Sequence, residues 1–290
     1  LSQFYGIEID DFAHEMAILS LWLAEHQMNK IFEETLFDFG RSNPILPLKE
    51  AGQISHGNAT REDWKKACPI TKTDEVYIIG NPPYLGYSRQ DDDQKDDMKI
   101  VFSRINNYKK LDYIGCWFYK ATNYIQNSKG KYAFVTTNSI TQGEQVALLW
   151  PLILNSGQEI DFAHQSFKWT NNAKGNAGVA VVIIGIRNLD NSDKFLYNQN
   201  LKQSVKNISP YLTNTSNVYV SQRTKPLSKL PKMIKGSAPG DNGNLLLNQE
   251  EKKEILSRHP EVDKFIKKYI GSSEFIKNTN RYCIHVTEAN

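Results

Sequence analysis

Asn81-Pro82-Pro83-Tyr84 directly follows an apolar run, Val76-Tyr77-Ile78-Ile79-Gly80. A strand that breaks at once into an amide, two prolines and an aromatic brings two oxygen acceptors together, the Asn81 side chain and the Pro82 carbonyl. Such a pair suits an exocyclic amino group. It can accept both N–H bonds and return lone-pair density to a nitrogen that otherwise delocalises it into a ring. The prolines hold φ at about −65° and carry no N–H, so the carbonyl is free to face a ligand. Tyr84 offers a flat face on which an extruded base can stack. The plainer reading of the same four residues is an Asn-Pro turn that closes a strand.

The elements around the turn alternate. Residues 4–9 read as a buried strand, followed by a helix capped by Asp10 or Asp11 and running to about residue 29, with Phe12, Met16, Leu19 and Leu23 on one stripe. A Pro/Gly-containing loop over 40–52 leads to a short strand at 53–56, a short helix within 61–68 and the strand at 75–79 that enters the turn. The acids of 91–97 begin a helix, where they suit the positive end of its dipole; they are given no metal role. A helix over 111–127, a strand over 131–137 and a helix over 144–155 interrupted by Pro151 follow. Strands at 159–165 and 178–186 then stand in succession, joined by a polar loop. This order indicates an α/β sheet whose last pair is a hairpin. After Asn188 the pattern turns irregular, and a domain boundary is expected there, dividing 1–188 from 189–290.

Composition bounds the function. With 40% hydrophobic and 23% charged residues the 290-residue chain is globular in type. No run approaches the roughly 18 apolar residues of a membrane span, and the first residues show no basic leader. Cys68, Cys116 and Cys283 are too widely spaced for a disulfide framework or a zinc site, which fits idle thiols in a reducing cytoplasm. The net charge of +3 conceals an asymmetry. Residues 1–188 carry 19 basic against 22 acidic side chains, and residues 189–290 carry 16 against 10. Between Leu201 and Pro239 there are seven basic residues and no acid. A solvated face is one explanation; phosphate contact by Arg223, Lys225, Lys229 and Lys232 is the other, favoured by the neighbouring turn.

In open α/β sheets a nucleotide-like ligand lies beyond the carboxyl ends of the strands, with an acid gripping its ribose hydroxyls. Tyr5-Gly6-Ile7-Glu8-Ile9-Asp10 supplies such an acid in Glu8, while Asp10 fits a helix cap better. Phe167-Lys168-Trp169, in the loop expected between the last two strands, could be a hydrophobic lid or a platform for a base.

Long segments extend these readings. Asn81-Pro82-Pro83-Tyr84-Leu85-Gly86, the stretches 111–120, 137–145 and 167–179, and Lys225-Pro226-Leu227 through Pro231-Lys232-Met233 resemble the MmeI-like enzymes. These are single-chain type IIG/IIL restriction–modification proteins that fuse an endonuclease, a gamma-type adenine-N6 methyltransferase and a target-recognition domain. The resemblance implies a Rossmann-like class I sheet followed by the start of a target-recognition domain. It implies S-adenosylmethionine as cofactor and a flipped adenine in double-stranded DNA as substrate. Asn81, Pro82, Pro83 and Tyr84 would be catalytic, with Asn81 also facing the cofactor. Glu8 would hold the cofactor's ribose. Asn58, where the family usually has Asp, would accept from the cofactor's adenine amino group, since an amide oxygen can also accept. Phe167, with Trp169 second, would stack on the flipped base opposite Tyr84.

The family's cofactor loop, Asp-Pro-Ala-Cys-Gly-x-Gly, has no counterpart here, nor has the nuclease motif. Both chain ends look cut. The expectation is a piece of a longer polypeptide, whose remainder supplies the nuclease and the rest of the recognition domain. In the family the strand carrying that loop lies between those ending at Glu8 and Gly80. Transfer would be direct, as none of the three cysteines sits in a Pro-Cys nucleophile motif. Other substrates for the same turn are cytosine N4, RNA guanine N2 or a protein glutamine amide. A different class is a DNA-binding fragment without catalysis.

Overall fold

The computed structural model describes residues 1–36, 40, 53–169, 179–223, 225, 228–229 and 240–286. The chain divides into two compact units, Leu1–Gln222 and Arg223–Asn290.

The first unit opens with β1 (Tyr5–Glu8) and α1 (Asp11–Thr35). Asp10 is the cap: its side chain accepts from Ala13 N at 2.8 Å. The helix runs on past 29 to Thr35, and its expected stripe is not packed away. Phe12 is 76% exposed, Met16 42% and Leu23 43%, so apolar spacing here does not mark a face covered by the described residues. β2 (Gln53–His56) pairs in parallel with β1, from Tyr5↔Gln53 to Glu8↔His56, as a separate two-stranded sheet. A single turn, α2 (Trp64–Ala67), is capped by Asp63.

β3 (Tyr77–Gly80) leads to the Asn81 turn, and α3 (Asp92–Val101) begins with an Asp91–Gln94 capping box. α4 (Gly115–Tyr124), β4 (Lys131–Thr137), α5 (Gly143–Leu154), β5 (Gln158–Lys168) and β6 (Ala180–Asn188) follow. Pro151 lies inside α5 and does not end it. The sheet then continues past residue 188, where the boundary was expected. β7 (Lys194–Asn198) and β8 (Leu201–Val205) add a further hairpin, giving the order β3-β4-β6-β5-β7-β8. β3 and β4 are parallel, joined by the crossover through α3 and α4; β6 runs antiparallel between β4 and β5.

The core lies between this sheet and α3–α5. β4 alternates half-buried and buried positions, and its Tyr132 and Phe134 meet Phe118 edge to face at 6.0 and 5.3 Å. Trp150 is fully buried and donates Nε1–H to Ile140 O at 2.9 Å. The ring of Phe162 covers Gly185 across a bulge in β5: a Cβ at that glycine would stand 2.1 Å from the ring. The arrangement is a mixed α/β sheet, and the chain continues into a smaller second unit.

The second unit is a small antiparallel sheet. β9 (Leu246–Leu247), α6 (Gln249–Arg258), β10 (Ile266–Tyr269), α7 (Ser272–Lys277) and β11 (Arg281–Ile284) give the order β10-β11-β9. Buried Glu274 holds it together, accepting from Arg281 Nη2 at 3.0 Å and from Gly271 N at 2.9 Å. Among the described residues no helix is long and apolar enough to cross a membrane.

Candidate active site

The registers bring two of the expected groups to one end of the six-stranded sheet, beside the exit of β4. Gly80, the last residue of β3, pairs with Phe134, so the turn leaves the sheet at the carboxyl end of the parallel pair. Thr137, at the end of β4, pairs with Val181, and Val181 with Phe167. Asn81–Tyr84, the β4 exit and the Phe167–Trp169 aromatics therefore share that end. Asn138, in the 310 turn after β4, donates its amide to Ser166 Oγ at 3.4 Å.

Within the turn Asn81 and Pro83 are exposed, Pro82 is buried, and Tyr84 is half-buried against the core. Among the described residues no hydrogen bond holds the Asn81 side chain. The turn's backbone is fixed one residue later. Leu85 N donates to Asp112 Oδ1 at 2.8 Å, and Leu85 O accepts from Tyr113 N at 3.0 Å and Gln90 Nε2 at 3.1 Å. Burial pushes the Asp112 carboxyl up, against the pull of the backbone N–H groups of Ile114, Leu85 and Tyr113.

Phe167 and Lys168 are not in a loop. β5 runs through them, with Phe167↔Val181 and Lys168↔Ala180, and Trp169 N still donates to Val179 O at 3.1 Å. Cross-strand pairing extends the hairpin beyond the end expected at 165, and the strand fixes the Phe167 backbone. Phe167 and Trp169 are half-buried, with ring centroids 6.5 Å apart at 41°.

In the separate two-stranded sheet Glu8 ends β1, and its Oε1 accepts from Ile9 N at 2.9 Å and Asp10 N at 3.0 Å. Those bonds clamp the carboxylate and leave Oε2 without a partner among the described residues. Asn58 is differently occupied. Its Oδ1 accepts from Thr60 N at 2.9 Å and Thr60 Oγ1 at 2.7 Å, and its Nδ2 donates to Asp97 Oδ2 at 3.0 Å. Both lone pairs of the amide oxygen are taken, so in this arrangement Asn58 shapes its loop rather than presenting an acceptor to a ligand.

Asp97 is the hub of that loop and lies 2% exposed in α3. Besides Asn58 it accepts from Arg61 Nε at 2.6 Å and from Tyr113 OH at 2.6 Å. Burial works against its charge, but hydrogen bonds from Tyr113, Arg61 and Asn58 outweigh that and keep the carboxyl below its usual range. Reading 91–97 as helix-starting acids overlooks this residue. The signal was helical spacing, since Asp97 shares a face with Val101 on the inner side of α3. The same loop borders a pocket of about 340 Å³ that includes Thr60, Trp64, Lys120 and Tyr124. There Lys120 Nζ donates to Thr60 O at 2.9 Å and Glu62 O at 2.6 Å. Burial pushes the Cys116 thiol up, away from the thiolate a nucleophile needs. Among the described residues no group of three or more His, Cys, Asp or Glu is arranged to hold a metal.

Arg223, Lys225 and Lys229 are exposed at the start of the second unit. Lys232 lies outside the described residues.

The family model for the MmeI DNA-methyltransferase domain matches residues 1–198, and that for the MmeI target recognition domain matches residues 214–290. "DNA methyltransferase A" of Bacillus subtilis (strain 168) is 49% identical over 290 residues, covering 100% of this chain and 33% of that protein. A solved structure of the type IIL restriction-modification enzyme MmeI in complex with DNA superposes with a TM-score of 0.86 at 42% identity, over 100% of this chain and 39% of that one. The chain thus spans about a third of the length of the curated relative it matches. With two successive family models covering the sheet unit and the small second unit, the chain belongs to the MmeI family of restriction–modification DNA methyltransferases.

Proposed function

We propose that this chain transfers a methyl group from S-adenosylmethionine to N6 of an adenine flipped out of double-stranded DNA. The observation that carries the reading is the exposed Asn81 amide, with no hydrogen-bond partner among the described residues, on a turn anchored at the carboxyl end of the parallel strand pair. Asn81 Oδ1 and the Pro82 carbonyl accept the two N–H bonds of the adenine amino group. As the nitrogen attacks the methyl it gains positive charge and its N–H groups become stronger donors. Those acceptors are therefore better satisfied in the transition state than before it, which is where an interaction accelerates the step. The methylated nitrogen then gives up a proton to solvent. Tyr84 and Phe167 supply stacking faces for the base, Trp169 lies beside Phe167, and extrusion from the duplex costs a few kcal/mol that such contacts offset. Glu8 receives the ribose hydroxyls through its unengaged Oε2. When bound, S-adenosylmethionine supplies the electrophilic methyl. The remainder of the polypeptide is read as carrying the nuclease and completing target recognition, in a cytoplasmic protein.

Equilibrium dialysis of the full-length protein with labelled S-adenosylmethionine separates an enzyme from a DNA-binding module. Saturable binding, weakened about tenfold or more in Glu8→Ala as a charge-assisted hydrogen bond is lost, is expected. No binding to the wild type would leave the DNA-binding reading.

The basic segment supports DNA contact in the same scheme. If Arg223, Lys225, Lys229 and Lys232 meet phosphates, DNA affinity falls steeply with salt. Neutralising each with Gln lowers the slope of log K against log salt by about one. Unchanged slopes in titrations from low to high salt would return these side chains to a solvated face.

A further inference from the structure

Two prolines leave the catalytic turn few backbone donors, so little but its own dihedrals holds Asn81 between β3 and Leu85. Leu85 is the first firm anchor, and its N–H and C=O are both held by one dipeptide. Asp112 Oδ1 takes the N–H at 2.8 Å, and Tyr113 N reaches the C=O at 3.0 Å. The dipeptide is itself secured, because Asp112 N donates to Gln145 Oε1 at 2.9 Å and that amide's Nε2 donates to Lys110 O at 2.7 Å. From the other end of the dipeptide, Tyr113 OH donates to Asp97 Oδ2, the oxygen that also accepts from Asn58 Nδ2. A continuous path therefore runs from the Asn81 turn, through Leu85, Asp112, Tyr113 and Asp97, to the 57–61 loop, whose Gly57 N donates to the backbone carbonyl of Glu8 at 2.8 Å.

We propose that Asp112 and Tyr113 are positioning residues, a splint that ties the methyl-accepting turn to the 57–61 loop. Asp112 sets how Asn81 and Pro82 face the amino group, and Tyr113 sets how the loop stands relative to them. Asp112 is 6% exposed and Asp97 2%. Buried carboxylates are tolerated only with their bonds made, so each is confined to one arrangement. The two halves have separable effects. Asp112 acts on the reacting geometry, where a misplacement of about 1 Å costs on the order of 10²-fold in rate. Tyr113 acts on the loop, and so on cofactor binding.

The kinetic part rests on the adenine methylation proposed above, so the test also has a readout that does not need activity. Asp112→Ala, Asp112→Asn and Tyr113→Phe are made in the full-length protein, with kcat and the KM for S-adenosylmethionine measured on duplex DNA. Asp112→Ala is expected to lower kcat about 30- to 100-fold with the cofactor KM within about threefold. Asp112→Asn restores kcat to within about fivefold, because the bonds from Leu85 N and Ile114 N converge on one oxygen, which the amide keeps. Tyr113→Phe gives the opposite split, raising the cofactor KM about fivefold with kcat within about threefold. Amide hydrogen exchange follows the same division: Asp112→Ala deprotects the Leu85 amide that it binds, and Tyr113→Phe deprotects 57–61. Equal falls in kcat and rises in KM for both variants, with no rescue by Asn and uniform deprotection, would overturn the splint. A wild type that does not methylate DNA yet shows the divided exchange pattern would overturn the adenine reading and leave the splint standing.

Discussion

Asn81→Ala is expected to lower kcat for methyl transfer about 10²- to 10³-fold, the usual range when one preorganised partner of developing charge is removed. The affinity for DNA should stay within about threefold. The reason is the asymmetry between ground and transition state. An aromatic amino group is a weak base, and water satisfies its N–H bonds as well as Asn81 does. As the nitrogen attacks it becomes cationic and its N–H groups become far better donors, so the acceptor is used mainly there. The local structure makes the variant clean: Asn81 is exposed and hydrogen-bonds no other side chain among the described residues, so truncation removes an acceptor without opening a cavity. Single-turnover quench on saturating duplex DNA checks it. A kcat within a few-fold of wild type would take Asn81 out of the chemistry.

Arg187→Ala is expected to cost about 3–5 kcal/mol of stability, the range for breaking a buried ion pair from one side. Arg187 is 3% exposed in β6. Its Nε meets Glu159 Oε1 at 3.0 Å, Nη1 meets Asp161 Oδ1 at 2.6 Å, and Nη2 donates to Ser192 O at 2.7 Å. Lys194 and Lys131 each hold the second oxygen of one carboxylate, at 2.7 and 3.2 Å. Losing the guanidinium strands both carboxylates with a single lysine apiece and leaves Ser192 O without its donor. The cluster lies at the end of the sheet opposite the turn, since Lys131 opens β4 and pairs with Tyr77, the first residue of β3. Urea denaturation should therefore show a lowered midpoint, while kcat at a permissive temperature stays within about twofold. A midpoint shift worth less than about 1 kcal/mol would demote the cluster to a surface-type network.

Some elements were legible because local physics decides them. β4 has the bounds 131–137 in both sequence and structure, since aromatic and β-branched residues dominate it and Tyr132, Phe134 and Thr136 form its buried face. Asp10 was readable as a cap, and 91–97 as the start of a helix, from residue type and position alone. The β7–β8 hairpin was not legible. β8 is Leu-Lys-Gln-Ser-Val with only Val205 buried, an edge strand held by pairing rather than by its own pattern. In the candidate site, the turn and Glu8 could be singled out from residue type and position, and their roles are those proposed above. The commitment of Asn58 to Thr60 and Asp97, and the hold of Asp112 on Leu85, span 39 and 27 residues in the Asp97 and Leu85 cases. Bonds of that reach are tertiary, and no local spacing announces them.

The most direct measurement is the identity of the methylated nucleoside. The full-length protein is incubated with unmethylated duplex DNA and S-adenosylmethionine carrying an isotopically labelled methyl group, and the DNA is digested to nucleosides and resolved by mass. Labelled N6-methyldeoxyadenosine, formed by the wild type and nearly absent with Asn81→Ala, is the result expected. Label in N4-methyldeoxycytidine, or no label in DNA from protein that has bound the cofactor, would contradict the account.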